Sequence, residues 1–378
     1  MPETKDQNAV TLRVNGKIYS GWTSVQIECS VNSLARGCKL KAMSSPTGVD
    51  LCGDINCGDE AVVSIGNDRV LTGYVVAKDL KYSEKDLSAD ITIKSRTIDL
   101  EECTFPPDAR HSWNGFTVKD IVASMCGNCS IEVVAKVDAG KKINSDASVH
   151  ETVGGEIKKL LTKESLLVMD DEYGRLVICH AGSNGKAGDA LQTGKNVLSG
   201  QRTHDVSGVF SEYVTIGQGR DVRSEKSTPA NALRAKSDNS AFPRRRVKVY
   251  SRNGDQTLEK LKESADNLRN ISIAKSDKLI YKIQGWRQSS GALWRANMSV
   301  VVNDPYFFGK NEQILLISKI TYSIDSHGTV ATIEAMAPEA FLVMDDGKEA
   351  EKKKAAAKKK TGTAKGTTFL ARRGTGKI

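Results

Sequence analysis

Ile314-Leu315-Leu316-Ile317-Ser318-Lys319-Ile320-Thr321-Tyr322, answered across Asp325-Ser326-His327-Gly328 by Val330-Ala331-Thr332-Ile333-Glu334-Ala335, decides how this 378-residue chain is read. Two β-branched, apolar runs joined by a short polar turn with a glycine describe an antiparallel hairpin. Upstream of it lie Gly285-Trp286, Gly291-Ala292-Leu293-Trp294 and the run Ser299-Val300-Val301-Val302. Downstream, Ala337-Pro338-Glu339-Ala340-Phe341-Leu342-Val343 closes the segment, and a charged tail follows. Strands joined by such turns predict a closed β unit with no place for chemistry. The question becomes which assembly the chain serves rather than which reaction it catalyses.

Moving outward to the start of the chain, residues 1–103 also read as β. Asn15-Gly16 between Val10–Val14 and Lys17–Tyr19 suits a hairpin turn that needs positive φ at both residues. Val25, Ile27, Cys29 and Val31 alternate with polar neighbours as a half-buried strand does. Val62–Ile65 and Val70–Val76 flank Gly66-Asn67-Asp68-Arg69, and Ile91 and Ile93 mark a last strand. Five or six short strands predict a small barrel, which removes exposed edges.

Between 104 and 200 the period changes to that of an α+β domain. Thr117 with Asp120, and Phe116 placed to staple onto Ile121, predict a helix start, with Gly127 as its stop. Ser148 with Glu151 has the same capping spacing ahead of Val153, Ile157, Leu160 and Leu161. Gly154-Gly155 inside that helix costs about 1 kcal/mol per glycine relative to alanine. Leu166–Met169 and Arg175–Ile178 around Asp171-Glu172-Tyr173-Gly174 predict a hairpin. From 201 to 344 a second barrel is expected, opening with Glu212–Gly217 and interrupted by a helix-bearing insertion at about 219–278. Residues 219–246 read as a polar loop, and Asp255–Lys275 as a helix with Leu258, Leu261, Ala265 and Leu268 on one face. The fold class is therefore mainly β with α+β insertions, two small β-barrels per subunit, and a basic tail over 345–378.

Charge does not mark a nucleic-acid-binding body. The formal net charge is +9, but from Asp345 onward eleven Lys or Arg face four Asp or Glu, so the body carries only about +2. No run approaches ~20 apolar residues, so no helix is expected to span a membrane, and the polar N-terminus is not expected to act as a secretion signal. The eight cysteines read as reduced thiols.

Candidate chemistry is thin. Cys126-Gly127-Asn128-Cys129 has the spacing of a zinc knuckle or redox dithiol, but Cys52 and Cys57 form no matching second pair. The helix also precedes the motif instead of following it. His111, His150, His180, His204 and His327 form no metal-binding spacing. Gly374-Thr375-Gly376-Lys377 lacks the preceding strand of a phosphate loop, and one residue follows it where such a loop would need a helix. Arg244-Arg245-Arg246 reads as a solvated face or tether, with contact to a protein or nucleic acid as the alternative. Asp170-Asp171 and Glu101-Glu102, adjacent in sequence, would point apart on strands and form no sugar-cleaving pair. No catalytic, cofactor-binding or metal residue is assigned.

Several stretches, taken in order, resemble one family. They are Gly21-Trp22-Thr23-Ser24-Val25, Gly73-Tyr74-Val75, Glu151-Thr152-Val153, Ser211-Glu212-Tyr213, Gly285-Trp286, Gly291–Trp294, Leu315–Lys319 and Ala337–Val343. The chain resembles the baseplate hub proteins of Mu-like contractile-tailed phages, related to the late-control D family of P2-like phages and to the hub part of VgrG-type proteins. The resemblance implies a late, non-enzymatic virion protein of the tail baseplate, assembled in the host cytoplasm, with no cofactor. It implies a homotrimer whose six barrels form a ring between the hexameric tail tube and the trimeric central spike. Its further partners would be baseplate wedge proteins, the tape-measure protein and DNA in transit, without stable membrane insertion. The alternatives are a tail-associated peptidoglycan hydrolase and a non-specific nucleic-acid-binding module.

Overall fold

The computed structural model describes residues 7–31, 33–44, 52–84, 86–218, 233–255, 257–325 and 328–342. Contacts divide it into two compact units, one built from the chain up to Val209 and again from Asn267, the other from Phe210–Asp266.

The first unit begins with seven strands: β1 (Val10–Val14), β2 (Lys17–Tyr19), β3 (Ser24–Ser30), β4 (Gly37–Ser44), β5 (Glu60–Ile65), β6 (Asp68–Tyr82) and β7 (Leu87–Ser95). They pair antiparallel in the order β2-β1-β5-β6-β7-β4-β3. Asn15 and Gly16 have φ of 51° and 76°, the conformation that the dipeptide predicts, and this sets Val14 opposite Lys17. The structure adds β4 to the strands expected here. Cys38 and Leu40 are buried while Lys39 is exposed, an alternation easily lost among its lysines. It also carries β6 past Val76 to Tyr82, beyond a bulge between Val75 and Ala77, because β7 continues to pair with it as far as Leu87.

An α+β layer follows: α1 (Ile98–Glu102), β8 (Ser112–Thr117), α2 (Val118–Gly127), β9 (Val133–Ala135), β10 (Lys142–Asp146), α3 (Val153–Lys163), β11 (Leu167–Asp170) and β12 (Leu176–Cys179). Thr117 caps α2 as its spacing predicts, its hydroxyl accepting the Asp120 N–H at 3.1 Å. The cap of α3 is Thr152, not Ser148: the Thr152 hydroxyl accepts the Gly155 N–H at 3.1 Å. Thr152 has the extended backbone an N-cap requires, whereas Ser148 belongs to the preceding turn, where its carbonyl accepts Glu151 N–H at 3.3 Å. The glycines also acquire a purpose. A Cβ on Gly154 would lie 2.4 Å from Leu34 Cδ1 and 2.7 Å from the Leu100 carbonyl oxygen. The propensity cost is thus the condition for seating α3 against α1. Leu34, Leu100, Trp113, Ile121, Val122, Ile157 and Leu161 form this layer's own buried cluster.

The second β half is gathered from pieces: β13 (Leu191–Gln192) and β14 (Val197–His204), then, much later in the chain, the strands around the opening hairpin. The intervening residues form the second unit, with β15 (Glu212–Gln218), β16 (Leu233–Asp238), β17 (Val247–Asp255) and the start of α4 (Leu258–Lys275). Part of the loop expected over 219–246 is therefore a strand. β16 pairs antiparallel with β15 from Leu233 opposite Gly217 to Asp238 opposite Glu212. Its buried positions are Ala235 and Ser237, too small and polar to stand out in hydropathy; residues 219–232 lie outside the described ones. Thr215 Oγ1 donates to the Leu261 carbonyl at 2.7 Å and Ser237 Oγ to Asp266 Oδ1 at 2.6 Å, tying that sheet to α4.

Back in the first unit come β18 (Asp277–Gln284), β19 (Ser299–Asn303), the short helix α5 (Pro305–Phe308), β20 (Gln313–Asp325) and β21 (Gly328–Met336). The opening hairpin is β20–β21, with Asp325 opposite Gly328; Ser326 and His327 lie outside the described residues, as does the tail. One edge of β20 pairs with β21 along most of its length. Its other edge is shared: Gln313–Leu316 pair with β19, and Lys319–Ile324 pair with β3. The change falls at the bulge between Ile317 and Lys319, where the Ser318 carbonyl accepts the Val31 N–H at 2.8 Å. Through β20 the two halves become one 13-stranded sheet. β3 takes β20, not β1 or β2, as its second neighbour.

Candidate functional site

Where the two halves and the α+β layer meet, the tip of the β11–β12 hairpin acts as a keystone. Three consecutive acidic residues there find three arginines. Asp170 meets Arg36 of the first half: its Oδ2 accepts from Arg36 Nε at 3.0 Å and from the Arg36 N–H at 3.1 Å. The remaining guanidinium donors reach the carbonyls of Val70 at 2.8 Å and Asp170 at 2.7 Å. Both side chains are buried, 8% and 3% exposed. Burial opposes the Arg36 charge, but the adjoining Asp170 carboxylate outweighs it and raises the guanidinium's pKa above its ordinary value. Asp171 turns back onto Arg175 of its own hairpin, Nε to Oδ2 at 2.7 Å. Glu172 reaches Arg295 of the second half at 3.2 Å, and its carbonyl accepts from Thr72 Oγ1 of β6 at 2.8 Å.

The backbone at the tip is shaped for this contact. Gly174 has φ of 77°, and a Cβ there would lie 2.7 Å from the Thr72 carbonyl oxygen. Tyr173 lies between two guanidiniums, with Arg69 and Arg175 at 5.1 and 5.0 Å from its ring centre.

Asn297 holds the other side of the junction. Fully buried, with φ of 62°, it uses both ends of its amide. Its Nδ2 donates to the His180 carbonyl at 3.0 Å, and its Oδ1 accepts the Gly182 N–H at 2.7 Å. Its own N–H donates to the Ile317 carbonyl at 2.8 Å, next to the bulge in β20. Arg287 of the second half reaches the β5–β6 turn of the first, bonding Asp68 Oδ2 at 2.6 Å, the Gln7 carbonyl at 2.8 Å and the Ile65 carbonyl at 3.1 Å. A cavity of about 130 Å³ remains at this junction, lined by Cys29, Arg36, Asp170, Glu172, Arg295 and Tyr322 among others. The keystone carboxylates are each committed to an arginine, an arrangement suited to holding three parts in register.

The residues singled out by sequence are scattered around this junction. Asp170 and Asp171 engage different arginines. Glu101 pairs with Lys158 at 3.2 Å, and Glu102 is exposed at the end of α1. His111 is half-buried, edge-on to Phe105 at 5.5 Å; His150, His180 and His204 are exposed, and His327 lies outside the described residues. Cys126 is buried on α2 and Cys129 half-buried beyond it. Among the described residues no group of three His, Cys, Asp or Glu could hold a metal ion. Nor is any helix there long and apolar enough to cross a membrane.

Of the triple arginine, Arg245 pairs with Glu212 at 3.1 Å and Arg246 lies over Phe210 at 4.7 Å, both within the second unit. Gly374–Lys377 lies outside the described residues. Sequence reasoning missed Arg36, Arg287 and Asn297. Asn297 alone carried a local signal, since asparagine tolerates left-handed backbone just ahead of a strand.

In this mainly β chain the two halves share one sheet, and the acidic residues at their junction are each engaged by an arginine of the same chain. Comparison with known proteins finds matches along the chain. Residues 9–96 match the N-terminal domain of Mu phage baseplate assembly protein GpP-like proteins. Residues 97–180 match the second domain of baseplate hub protein gp44-like proteins, and residues 257–344 match the fourth domain of Mu phage baseplate assembly protein GpP. Baseplate hub protein gp44 of Escherichia phage Mu is 26% identical over 350 residues, 89% of each chain. The crystal structure of the 43 kDa tail protein of prophage MuSo2 from Shewanella oneidensis superposes with a TM-score of 0.78 at 26% identity, covering 89% of this chain and 99% of that one. The E. coli c3393 protein, a component of the type VI secretion system with structural similarity to T4 tail proteins gp27 and gp5, shares the fold at a TM-score of 0.53 and 12% identity, covering 86% of this chain and 76% of that one. The chain belongs to the Mu phage baseplate hub family, gp44/GpP, a structural family of contractile-tail virions.

Proposed function

We propose that three copies of this chain form the ring at the centre of the baseplate, joining the hexameric tail tube to the trimeric spike and leaving a channel for the tape-measure protein and then DNA. The observation that carries this is the sharing of β20. Because β3 and β19 divide one edge of that strand, the two β halves of each subunit move as one body, and three subunits would offer six β modules to a sixfold tube. Each half is read as a small barrel, within the division 1–103, 104–200, 201–344 and 345–378. The keystone supports a mechanical role, since it spends its carboxylates on arginines from three parts of the chain. The ring works without catalysis, cofactor or bound metal; spike, tube and wedge proteins are its partners, and DNA passes only in transit. Assembly takes place in the host cytoplasm.

Negative-stain electron microscopy of the purified full chain, alone and with its spike, tests this. A threefold ring with a central hole is expected. A chain that stays monomeric at high micromolar concentration in the presence of the spike overturns it.

A further inference from the structure

Spacing along the sequence pairs Cys126 with Cys129, but the fold pairs Cys129 with a different thiol. Cys126 lies within the apolar cluster of the α+β layer beside Ile121, Val122 and Met125, and is fully buried. Cys129 stands just past the end of α2, half-buried, and its thiol is hydrogen-bonded to that of Cys103. Cys103 is the C-terminal cap of α1 and is exposed. Both residues converge on one backbone group: the Asp99 carbonyl accepts the Cys103 N–H at 2.8 Å and lies 4.0 Å from Cys129 Sγ.

We propose that Cys103 and Cys129 form a dithiol that closes to an intramolecular disulfide, while Cys126 remains a buried thiol. The oxidant is a small-molecule disulfide. The exposed Cys103 loses its proton to solvent, and its thiolate attacks one sulfur of the reagent. The reagent's S–S bond breaks, a mixed disulfide forms on Cys103, and the first small thiol leaves. Cys129, deprotonated in turn, attacks the Cys103 sulfur and expels the second small thiol. Two protein thiols are oxidised and one reagent disulfide is reduced to two thiols. Burial pushes the Cys129 thiol up to about 11, so it reacts second, when the mixed disulfide on its neighbour Cys103 presents the target sulfur and proximity offsets the small thiolate fraction. Cys103, open to solvent, takes the first.

The bond would join the end of α1 to the end of α2 and close the loop carrying β8 between them. In a reducing cytoplasm the pair stays open, and outside the cell it closes. That change of compartment rests on the virion role proposed above; the thiol chemistry does not.

The test uses the reduced full chain, treated with oxidised glutathione and mapped by non-reducing peptide mass spectrometry. A Cys103–Cys129 peptide is expected, with the midpoint of thermal unfolding raised by about 5 °C and restored by dithiothreitol. The exposed Cys57 should carry a glutathione adduct, showing that the reagent reached the chain. Cys126→Ser should leave the cross-link intact, and Cys103→Ser should abolish both the cross-link and the thermal shift. A Cys126–Cys129 link, or glutathione retained on Cys103 without ring closure, overturns the proposal. If Cys103→Ser does not fold, the map of the unmodified chain decides alone. Microscopy of the ring is a separate readout, so failure of the cross-link and failure of the hub reading are told apart.

Discussion

The two β halves share one sheet but are held together by different means. The first is built from neighbours in sequence: β1 with β2, β5 with β6, β6 with β7, over a core of Leu12, Val14, Ile27, Leu40, Val63, Ile65, Leu71, Ile91 and Ile93. The second is collected from both sides of an inserted unit, so β14 pairs with β18 and β13 with β19 across long stretches of chain. Its core is more aromatic, with Tyr281, Trp286, Trp294 and Tyr322 buried. These rings carry polar tips that need partners: Trp286 Nε1 donates to the Val330 carbonyl at 3.1 Å, and Tyr322 Oη donates to the Trp294 carbonyl. The first half is stabilised mainly by local pairing and aliphatic burial. The second depends on clamps from elsewhere, namely β3 on its edge, Arg287 on the β5–β6 turn, and the α+β hairpin through Glu172 and Asn297.

The largest effect that would test this contrast is at the buried ion pair. Asp170→Ala leaves the Arg36 guanidinium buried and without its carboxylate, and should cost about 3–5 kcal/mol in denaturant unfolding. The contrast adds a spatial expectation. Because this pair joins the β11–β12 tip to the first half, amide exchange should rise first at the tip and around Arg36 and Val70, while β18 and β19, clamped through Glu172, Arg287 and Asn297, stay protected. Equal loss of protection in both halves would break the comparison.

Gly154→Ala comes next. Helix propensity favours alanine by about 1 kcal/mol, but the contacts with Leu34 and the Leu100 carbonyl are too close for a methyl group. A net loss of about 2 kcal/mol is expected, measured by urea titration; a gain would mean that α3 can shift freely. The change tests whether the α+β layer is as tightly seated on the first half as on the second.

Asn297→Ala should cost about 1–2 kcal/mol, since it leaves the His180 carbonyl and the Gly182 N–H without their partner and keeps a non-glycine residue at positive φ. Its exchange signature should be confined to β19, the start of β20 and the end of β12. Asn297→Gly, which relieves the backbone but not the lost amide, should recover only part of the loss.

The same contrast governs what could be read from sequence. Features with a local cause were legible: the Asn15-Gly16 turn needs two positive φ angles, the Thr117 cap needs an acceptor before Asp120, and the β20–β21 hairpin has a β-branched run on each side. The first half, being local, was therefore visible in most of its strands. The α3 cap was misplaced because Ser148 and Thr152 both carry a suitable hydroxyl, and only the backbone at Thr152 selects between them. β16 was hidden because its inward positions are Ala235 and Ser237. Of the junction, only the β11–β12 turn and the left-handed backbone at Asn297 had a local signal. Arg36 and Asp170, Asp68 and Arg287, Glu172 and Arg295 are surface-type residues by composition, and become clamps only once distant strands are brought together. No local pattern records which arginine meets which acid.

The smallest effect is on pH dependence, and it isolates one clamp. Burial alone would raise the Glu172 carboxyl, but a backbone hydrogen bond and the attraction of Arg295 and Arg36 outweigh it and hold it below the usual carboxylate range. A carboxyl lowered in the folded state contributes stability that is present above its unfolded-state value of about 4.3 and is lost as pH falls through the folded value. Glu172→Gln should therefore lower stability by less than about 1 kcal/mol at neutral pH and flatten the acid limb of the stability curve below about pH 4.3. Thermal unfolding midpoints of both proteins between acid and neutral pH give the measurement. If the two curves run parallel down to the acid end, Glu172 contributes nothing through its charge, and the second half is held at this point by Asn297 and the shared edge of β20 alone.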